Sequence, residues 1–265
     1  MRDLIRDLGT EQEDLDRILA GLDDPAWDTV TPADPWTIRD TVSHLAFFDE
    51  KEIQAIRDPS GFTAEINERL TNGFDRYMSL GIDRGRSLTP SQVLDWWRTA
   101  REAELLEFAS IPPDVRIPWY GPPMKASSTV SARLMETWAH GHDVADALDI
   151  TRPPTARLFH VAELGVKTFS WSYLNRGLDV PTERVKVALA GPNGDARVWN
   201  GPMSNSITGP VEDFCLVVTQ RCNYRDTTLA IEGEIAQSWM EVAQVFAGPP
   251  GAGRPPAGSS THQPG

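Results

Sequence analysis

The chain has 265 residues and a formal net charge of −13, with 40% apolar and 24% charged residues, a composition typical of a soluble globular protein of about two domains. Lysine and arginine form no basic stripe, which argues against nucleic acid as a partner. The N-terminal residues are charged from the second position, and no window approaches about 18 uninterrupted apolar residues. We therefore expect no signal peptide, no membrane span and a cytoplasmic location.

The first two predicted helices are amphipathic. Apolar residues recur at helical spacing over residues 2–22, and the turn-rich segment DDPAWDTVTPADPW follows. The second helix should begin near Thr37, with Asp34 or Thr37 as its N-cap, and continue to about Ile56. The segment DPSGF then ends it.

Residues 63–80 have a weaker helical pattern, and a clearer helix follows them. Thr89 is the predicted N-cap of this helix, Pro90 occupies its first position and Gln92 completes a capping box. The proline-rich segment IPPDVRIPWYGPPMKAS is predicted to be a loop.

Two further helices complete the predicted N-terminal domain. One starts near Ser127 to Thr129 and ends by Asp149, and the other follows RPP at residues 152–154. Residues 1–178 therefore read as five or six helices joined by loops, a four- or five-helix bundle is the expected architecture, and the fold class is mainly α.

The pattern changes after Pro181. ERVKVALAG alternates at period two, GPNGD is a turn sequence, and ARVWNG returns as a second strand. Ser206 or Thr208 is the predicted cap of a helix, TTLAIEGE reads as a strand, and a last helix follows. We expect a small α/β domain over 179–248 and, from its Gly, Pro and Ser content, a disordered tail over 249–265.

The segment RLMETWAHGHDVADAL carries the strongest chemical signal. Glu136 and His140 are four residues apart and share one face of a helix, while His44 lies on the second predicted helix. Two imidazoles and one carboxylate suit Zn²⁺ and leave a coordination position open, as in catalytic zinc sites. Spacing alone also fits buried polar partners in a helical core.

These residues also carry a family resemblance. His44 in SHLA, preceded by WTIRDTV, and Glu136 and His140 in ETWAHGHDV resemble the DinB-like metalloenzymes, and within them the mycothiol-dependent maleylpyruvate isomerase type. The resemblance implies a DinB-like helical bundle with a small α/β accessory domain. It also implies that His44, Glu136 and His140 are the metal ligands.

The implied activity is a metal-dependent, thiol-dependent isomerase or S-transferase that acts on a small electrophile. Mycothiol would be the co-substrate, and a thiolate would be the nucleophile. The expected partners are a small-molecule substrate and a low-molecular-weight thiol, and the protein would be a monomer or homodimer. Two alternatives stay open: a metal-assisted hydrolase or biosynthetic tailoring enzyme without a thiol, and a non-catalytic module that binds a metal or small ligand.

Other residues near the motif are weaker candidates. Asp143, three residues after His140, is predicted to orient that imidazole from the outer shell, and capping or solvation is the alternative. His142 points to another helix face, His160 is expected in the core or on the surface, and His262 lies in the tail.

Arginines and aromatic residues offer possible substrate contacts. Three guanidinium groups could bind a substrate carboxylate or form structural ion pairs: Arg39, Arg98 and Arg101. Four aromatic side chains could line a pocket or fill the core: Trp36, Trp119, Tyr120 and Trp138. The WYGPPMK loop is predicted to border a substrate channel because it precedes the Glu136 helix.

Overall fold

The computed structural model describes residues 1–71 and 73–258. Its contacts divide the chain into two compact units, Met1–Arg152 and Pro153–Gly265. Within the described residues, no helix is long and apolar enough to cross a membrane.

The first unit is helical. Its helices are α1 (Arg2–Leu19), α2 (Ile38–Arg57), α3 (Pro59–Thr71), α4 (Phe74–Arg86), α5 (Pro90–Ser110) and α6 (Ala126–Ala147). A short 3-10 helix spans Asp24–Asp28. The predicted cap residue Thr37 starts α2, and the predicted Thr89 and Gln92 capping box starts α5.

Helices α1, α2, α5 and α6 form a four-helix bundle, and α3 and α4 pack against α2. The bundle core is built from large apolar side chains on the inward faces of these helices, including Leu15, Val42, Leu45, Val93, Trp97 and Val144. Burial of these faces is the main source of stability for helices of this length. The bundle therefore provides the rigid frame that holds side chains of α2 and α6 in place.

The loop predicted between α5 and α6 contains a short hairpin. β1 (Arg116–Ile117) pairs antiparallel with β2 (Met124–Lys125). Two-residue strands leave no alternating pattern to detect, which explains why the sequence indicated only a loop.

The second unit is α/β. It contains α7 (Leu158–Lys167), α8 (Phe169–Leu174), β3 (Lys186–Ala190), β4 (Ala196–Trp199), β5 (Ser206–Pro210), α9 (Val211–Val218), β6 (Ala230–Glu232) and α10 (Glu234–Val242). The strands form one sheet in the order β4-β3-β5-β6. The predicted β3–β4 hairpin is antiparallel, whereas β5 lies parallel to β3.

The prediction that Ser206 or Thr208 caps a helix is wrong. Both residues lie in β5, and α9 begins only after Pro210. SITGP resembles a turn because of its Gly-Pro pair, but pairing of Ile207 with Val187 and Ile231 makes it a central strand. Pro210 is the last residue of the strand, where its missing N–H does little harm.

The division between units differs from the predicted boundary after residue 178. The helix predicted after Pro154 is two helices, α7 and α8, and their contacts are with α9 and α10 of the second unit. An apolar helical pattern shows that a helix is buried but not against which partner, so the sequence could not assign α7 and α8.

The described part of the predicted disordered tail, 249–258, has no helix or strand but is hydrogen-bonded to the rest of the second unit. Arg176 Nη2 donates to Gly251 O at 2.7 Å, and Asn223 Nδ2 donates to Arg254 O at 2.9 Å. Residues 259–265, which include His262, lie outside the described part of the chain.

Candidate metal centre

The first turn of α2 is fixed by local hydrogen bonds. Thr37 Oγ1 accepts from Asp40 N at 3.2 Å, and Asp40 Oδ2 accepts from Thr37 N at 3.2 Å. Arg86 binds both carboxylate oxygens of Asp40 at 2.9 Å, which ties α4 to the same turn. His44 follows one turn later on this anchored segment.

The three predicted ligands come together. His140 Nε2 lies 3.3 Å from Glu136 Oε2 on the same face of α6, and His44 Nε2 approaches that oxygen from α2 at 3.9 Å. One donor atom from each of the three residues lies within 4.8 Å of the other two. We call these residues the triad.

Burial differs among the three residues of the triad. His44 and His140 are buried, whereas 24% of the Glu136 side chain is exposed. The imidazoles are therefore held inside the bundle while the carboxylate faces the accessible side.

The electrostatics favour the metal-binding form of both His44 and Glu136. Burial lowers the pKa of His44 to about 4, although a hydrogen bond with Glu136 opposes the shift, so its imidazole is neutral at pH 7. Burial opposes ionisation of Glu136, but hydrogen bonds from His140 and His44 outweigh it and hold its pKa well below the usual range. Neutral imidazoles and an ionised carboxylate are the forms that bind a divalent cation, so the donor set fits one.

Asp143 lies behind His140, as the sequence indicated. Its Oδ2 is 3.4 Å from His140 Nδ1, and its side chain is buried. A carboxylate at this position can accept a hydrogen bond from Nδ1 of a metal-bound His140, which frees the Nε2 lone pair for the ion in place of the hydrogen bond to Glu136.

Aromatic rings cover the two imidazoles. The Trp36 ring centroid lies 4.8 Å from that of His44 and 5.8 Å from that of His140, the second at 25° between planes. Phe48 contacts His44 at 4.7 Å. The backbone of Trp36 is held in turn, because its carbonyl accepts from Thr31 N at 2.8 Å. These rings limit access of water to the buried side of the triad.

The WYGPPMK loop reaches the triad indirectly. Trp119 and Tyr120 pack on Phe48 at centroid distances of 6.2 and 5.7 Å, and Phe48 contacts His44. Pro123 of the same loop borders an open depression of about 640 Å³ that residues of α3 also line.

The three candidate arginines are engaged in structural contacts. Arg39 pairs with Asp28 at 3.0 Å and donates to the Leu88 carbonyl at 2.8 Å. Arg98 and Arg101 both bind Asp16, which joins α5 to α1. The structure therefore favours the ion-pair interpretation of all three.

Within the described part of the chain, the other candidate histidines, His142 and His160, do not join the triad. His142 Nε2 lies 3.5 Å from Asp146 Oδ1, and its ring stacks on Trp138 at 5.7 Å. His160 belongs to α7 in the second unit. Trp138 is buried against His142, so its role is packing.

The bundle contains a second polar group, which the sequence did not indicate. It is formed by Asp49, Glu104 and Arg133, and we call it the ionic layer. All three side chains are buried. Arg133 hydrogen-bonds Asp49, and its Nε lies 3.2 Å from Glu104 Oε1. A signal was present, because Arg133 precedes Glu136 by three residues and so shares its helix face.

The fold and the triad together define a class: a helical-bundle protein with a candidate His/Glu/His cation site and a C-terminal α/β unit. The sequence model of the family described as "Mycothiol maleylpyruvate isomerase N-terminal domain" matches residues 8–145. The chain belongs to this family.

Two curated relatives and two solved structures are similar to the chain. The Mycobacterium tuberculosis proteins described as uncharacterized proteins MT0041 (strain CDC 1551 / Oshkosh) and Rv0036c (strain ATCC 25618 / H37Rv) are each 40% identical to it over 94% of this chain and 97% of theirs. A crystal structure of the mycothiol-dependent maleylpyruvate isomerase matches with a TM-score of 0.57 at 14% identity, over 87% of this chain and 92% of that one. A histidine-to-alanine mutant of that enzyme matches with a TM-score of 0.58 at 15% identity, over 86% and 92% of the two chains.

These matches confirm the predicted family and the predicted fold class, a DinB-like, mainly α bundle followed by a small α/β part. They also confirm that the chain belongs to a family of enzymes.

Proposed function

We propose that this protein is a metal-dependent and thiol-dependent isomerase or S-transferase that acts on a small electrophile. The observation that carries the proposal is the triad, in which two imidazole nitrogens and a carboxylate oxygen from α2 and α6 lie within 4.8 Å of one another. Three protein ligands leave a fourth position for a substrate atom or a thiol, as in catalytic zinc sites. We therefore propose Zn²⁺ as the ion and His44, Glu136 and His140 as its ligands.

When bound, Zn²⁺ would supply a Lewis acid that lowers the pKa of a thiol or water in the open position. The residues of the chain supply orientation and shielding. Asp143 holds the tautomer and ring orientation of His140 through Nδ1, at 3.4 Å. Trp36 and Phe48 pack on the imidazoles and exclude water from their buried side.

The thiol requirement is supported by the family to which the chain belongs and by the solved enzyme that shares its fold, whose name states mycothiol dependence. A thiolate can isomerise an activated cis double bond by adding to one carbon, allowing rotation about the resulting single bond, and leaving again. The thiol is regenerated, so the net reaction is isomerisation. In an S-transfer reaction, the carbon–sulfur bond is retained and a leaving group departs or a strained ring opens.

The test is an assay of zinc-reconstituted protein with maleylpyruvate and a panel of small electrophiles, each with and without mycothiol. We expect turnover that needs both zinc and the thiol, and loss of turnover in His44→Ala. Turnover without thiol would contradict the proposal and support a metal-assisted hydrolase or tailoring enzyme instead. If zinc and small ligands raise the melting temperature but no product forms, the protein is a non-catalytic binding module.

A further inference from the structure

The ionic layer crosses the centre of the four-helix bundle. Asp49 comes from α2, Glu104 from α5 and Arg133 from α6, and all are at most 3% exposed. Gln12 of α1 completes the layer, because its Nε2 donates to Glu104 Oε2 at 3.3 Å. Each helix of the bundle thus contributes one polar side chain to a layer closed to solvent.

Arg133 is the centre of this layer. Its Nη2 donates to Asp49 Oδ1 and lies 3.4 Å from the carbonyl oxygen of Leu45, and its Nε faces Glu104. One side chain of α6 is therefore hydrogen-bonded to α2 at two points and ion-paired with α5 at a third. A buried guanidinium is tolerated only when its charge is paired in this way, so its geometry is tightly defined.

The layer lies about one helical turn from the triad. Arg133 precedes Glu136 by three residues on α6, which is a rise of about 4.5 Å, and Asp49 follows His44 by five residues on α2. Leu45, whose carbonyl approaches Arg133, is the residue next to His44. The contacts of Arg133 thus join the same two helices that carry the triad, immediately beside it.

A cation site made by two helices depends on their separation. Donor atoms must lie within about 0.2 Å of the ideal metal–ligand distance, and a site that is about 1 Å too loose loses function. Glu136 and His140 share α6, so only His44 must be brought to them from another helix. The α2–α6 contacts beside the triad therefore control the ligand geometry.

We propose that Arg133, held by Asp49 and Glu104, is a positioning residue that sets the distance from His44 to Glu136 and His140. The inference rests on the proposed metal site. It assigns a function to the ionic layer beyond stabilising the bundle, since a purely structural layer would not affect how the triad coordinates an ion.

The test uses Co²⁺ as the probe, because its visible absorption reports coordination geometry without any enzyme assay. Wild-type protein is compared with Arg133→Met, with Arg133→Lys, and with the triple variant Arg133→Met, Asp49→Asn, Glu104→Gln. The triple variant removes all three ionisable groups, so it contains no buried carboxyl that has lost its guanidinium partner within the ionic layer. Arg98→Met is the matched control, because Arg98 also joins two bundle helices by an ion pair, between α5 and α1.

For the folded variants, we expect Arg133→Met and the triple variant to bind Co²⁺ at least about tenfold more weakly, with shifted and weaker absorption bands. Arg133→Lys keeps the positive charge but loses the planar set of guanidinium N–H donors. Its Co²⁺ affinity and absorption should lie between those of these variants and those of wild type. Arg98→Met should keep the wild-type spectrum. Circular dichroism identifies the variants that remain folded.

A folded triple variant with the wild-type spectrum and affinity would overturn the inference and leave the proposed metal site intact. Equal spectral changes in Arg98→Met would also overturn it, because any loss of stability would then suffice. Failure of the wild-type protein to bind Co²⁺ is a different result, since it would remove the proposed metal site and the inference with it.

Discussion

The triad and the ionic layer lie about one turn apart in the same bundle, but their charges are balanced differently. In the ionic layer, Arg133 faces Asp49 and Glu104, and none of the three residues is more than 3% exposed. In the triad, the partly exposed carboxylate of Glu136 contacts two imidazoles, which do not carry a permanent positive charge. The ionic layer pairs its charges within the protein, whereas the triad is a donor set directed at a common point.

The difference shows that buried polar residues in a helical core serve two purposes. A group whose charges are paired within the protein joins helices, and a group of converging donors with an accessible side is suited to bind a ligand. The four predictions that follow test this distinction, beginning with the largest expected effect.

Loss of a triad residue should abolish metal binding. His44→Ala, Glu136→Gln or His140→Ala is expected to weaken Zn²⁺ binding by more than about 100-fold, because two ligands cannot hold the ion as three do. The measurement is zinc content after dialysis together with circular dichroism, which should remain helical. His142→Ala is the matched control and should keep full zinc. Full zinc stoichiometry in any triad variant would show that the substituted residue is not a metal ligand.

Stability should depend on the proton carried by Glu52 of α2. Glu52 is buried, and neither carboxyl oxygen has a hydrogen-bond partner among the described residues. Burial raises its pKa to about 8, Arg133 opposes the shift and Asp49 adds to it. The folded protein therefore keeps a proton that the unfolded chain loses above its ordinary pKa of 4.5. The contribution of this proton to the free energy of unfolding is largest below pH 4.5 and is lost as the pH rises through 8.

Glu52→Gln keeps the shape of the side chain and removes the titration. Between pH 5 and pH 8, the free energy of unfolding of wild type should fall relative to this variant by up to about 4 kcal/mol. Urea denaturation at several pH values measures the free energy of unfolding of both proteins. Glu102→Gln, which removes an exposed charge from α5, is the control. Parallel pH curves for wild type and Glu52→Gln would show that Glu52 is ionised in the folded protein.

Asp143→Asn should weaken metal binding without abolishing it. Loss of an outer carboxylate partner of a metal-bound histidine typically costs about 10- to 100-fold in affinity, because the imidazole is less well oriented and less basic. A competition titration with a zinc chelator measures the change. An unchanged dissociation constant would mean that Asp143 serves only to pack α6.

The smallest effect is expected at Arg98, whose guanidinium is partly exposed and bound to Asp16. Arg98→Met should lower the free energy of unfolding by about 1 kcal/mol, as for a partly exposed ion pair, and leave KM for the electrophile unchanged. A KM that rises several-fold in this variant would instead support the substrate-carboxylate role that the sequence left open.

The sequence predicts the parts of the site that depend on local signals. Thr37 and the apolar period of α2 locate the helix of His44, and the four-residue spacing places Glu136 beside His140. Residues that depend on distant partners were missed. Asp49, Glu104 and Arg133 resemble a solvated helix surface in the sequence, because each is charged and its partners lie on other helices.

The same limit applies to the second unit. The β3–β4 hairpin was predicted because its turn and its alternating strands are adjacent in sequence. The β5 strand was missed because its pairing with β3 is parallel and needs a connection that passes through β4. Local patterns carry little information on such pairings.

The proposed function depends on the binding of one divalent cation by the triad, with one coordination position left open. The most direct test is a crystal structure of zinc-reconstituted protein with anomalous data collected at the zinc edge. We expect a single strong peak about 2.0–2.2 Å from a nitrogen of His44, an oxygen of Glu136 and a nitrogen of His140, with a further ligand that is not from the protein. A reconstituted crystal with no anomalous peak among these three side chains would contradict the proposed function.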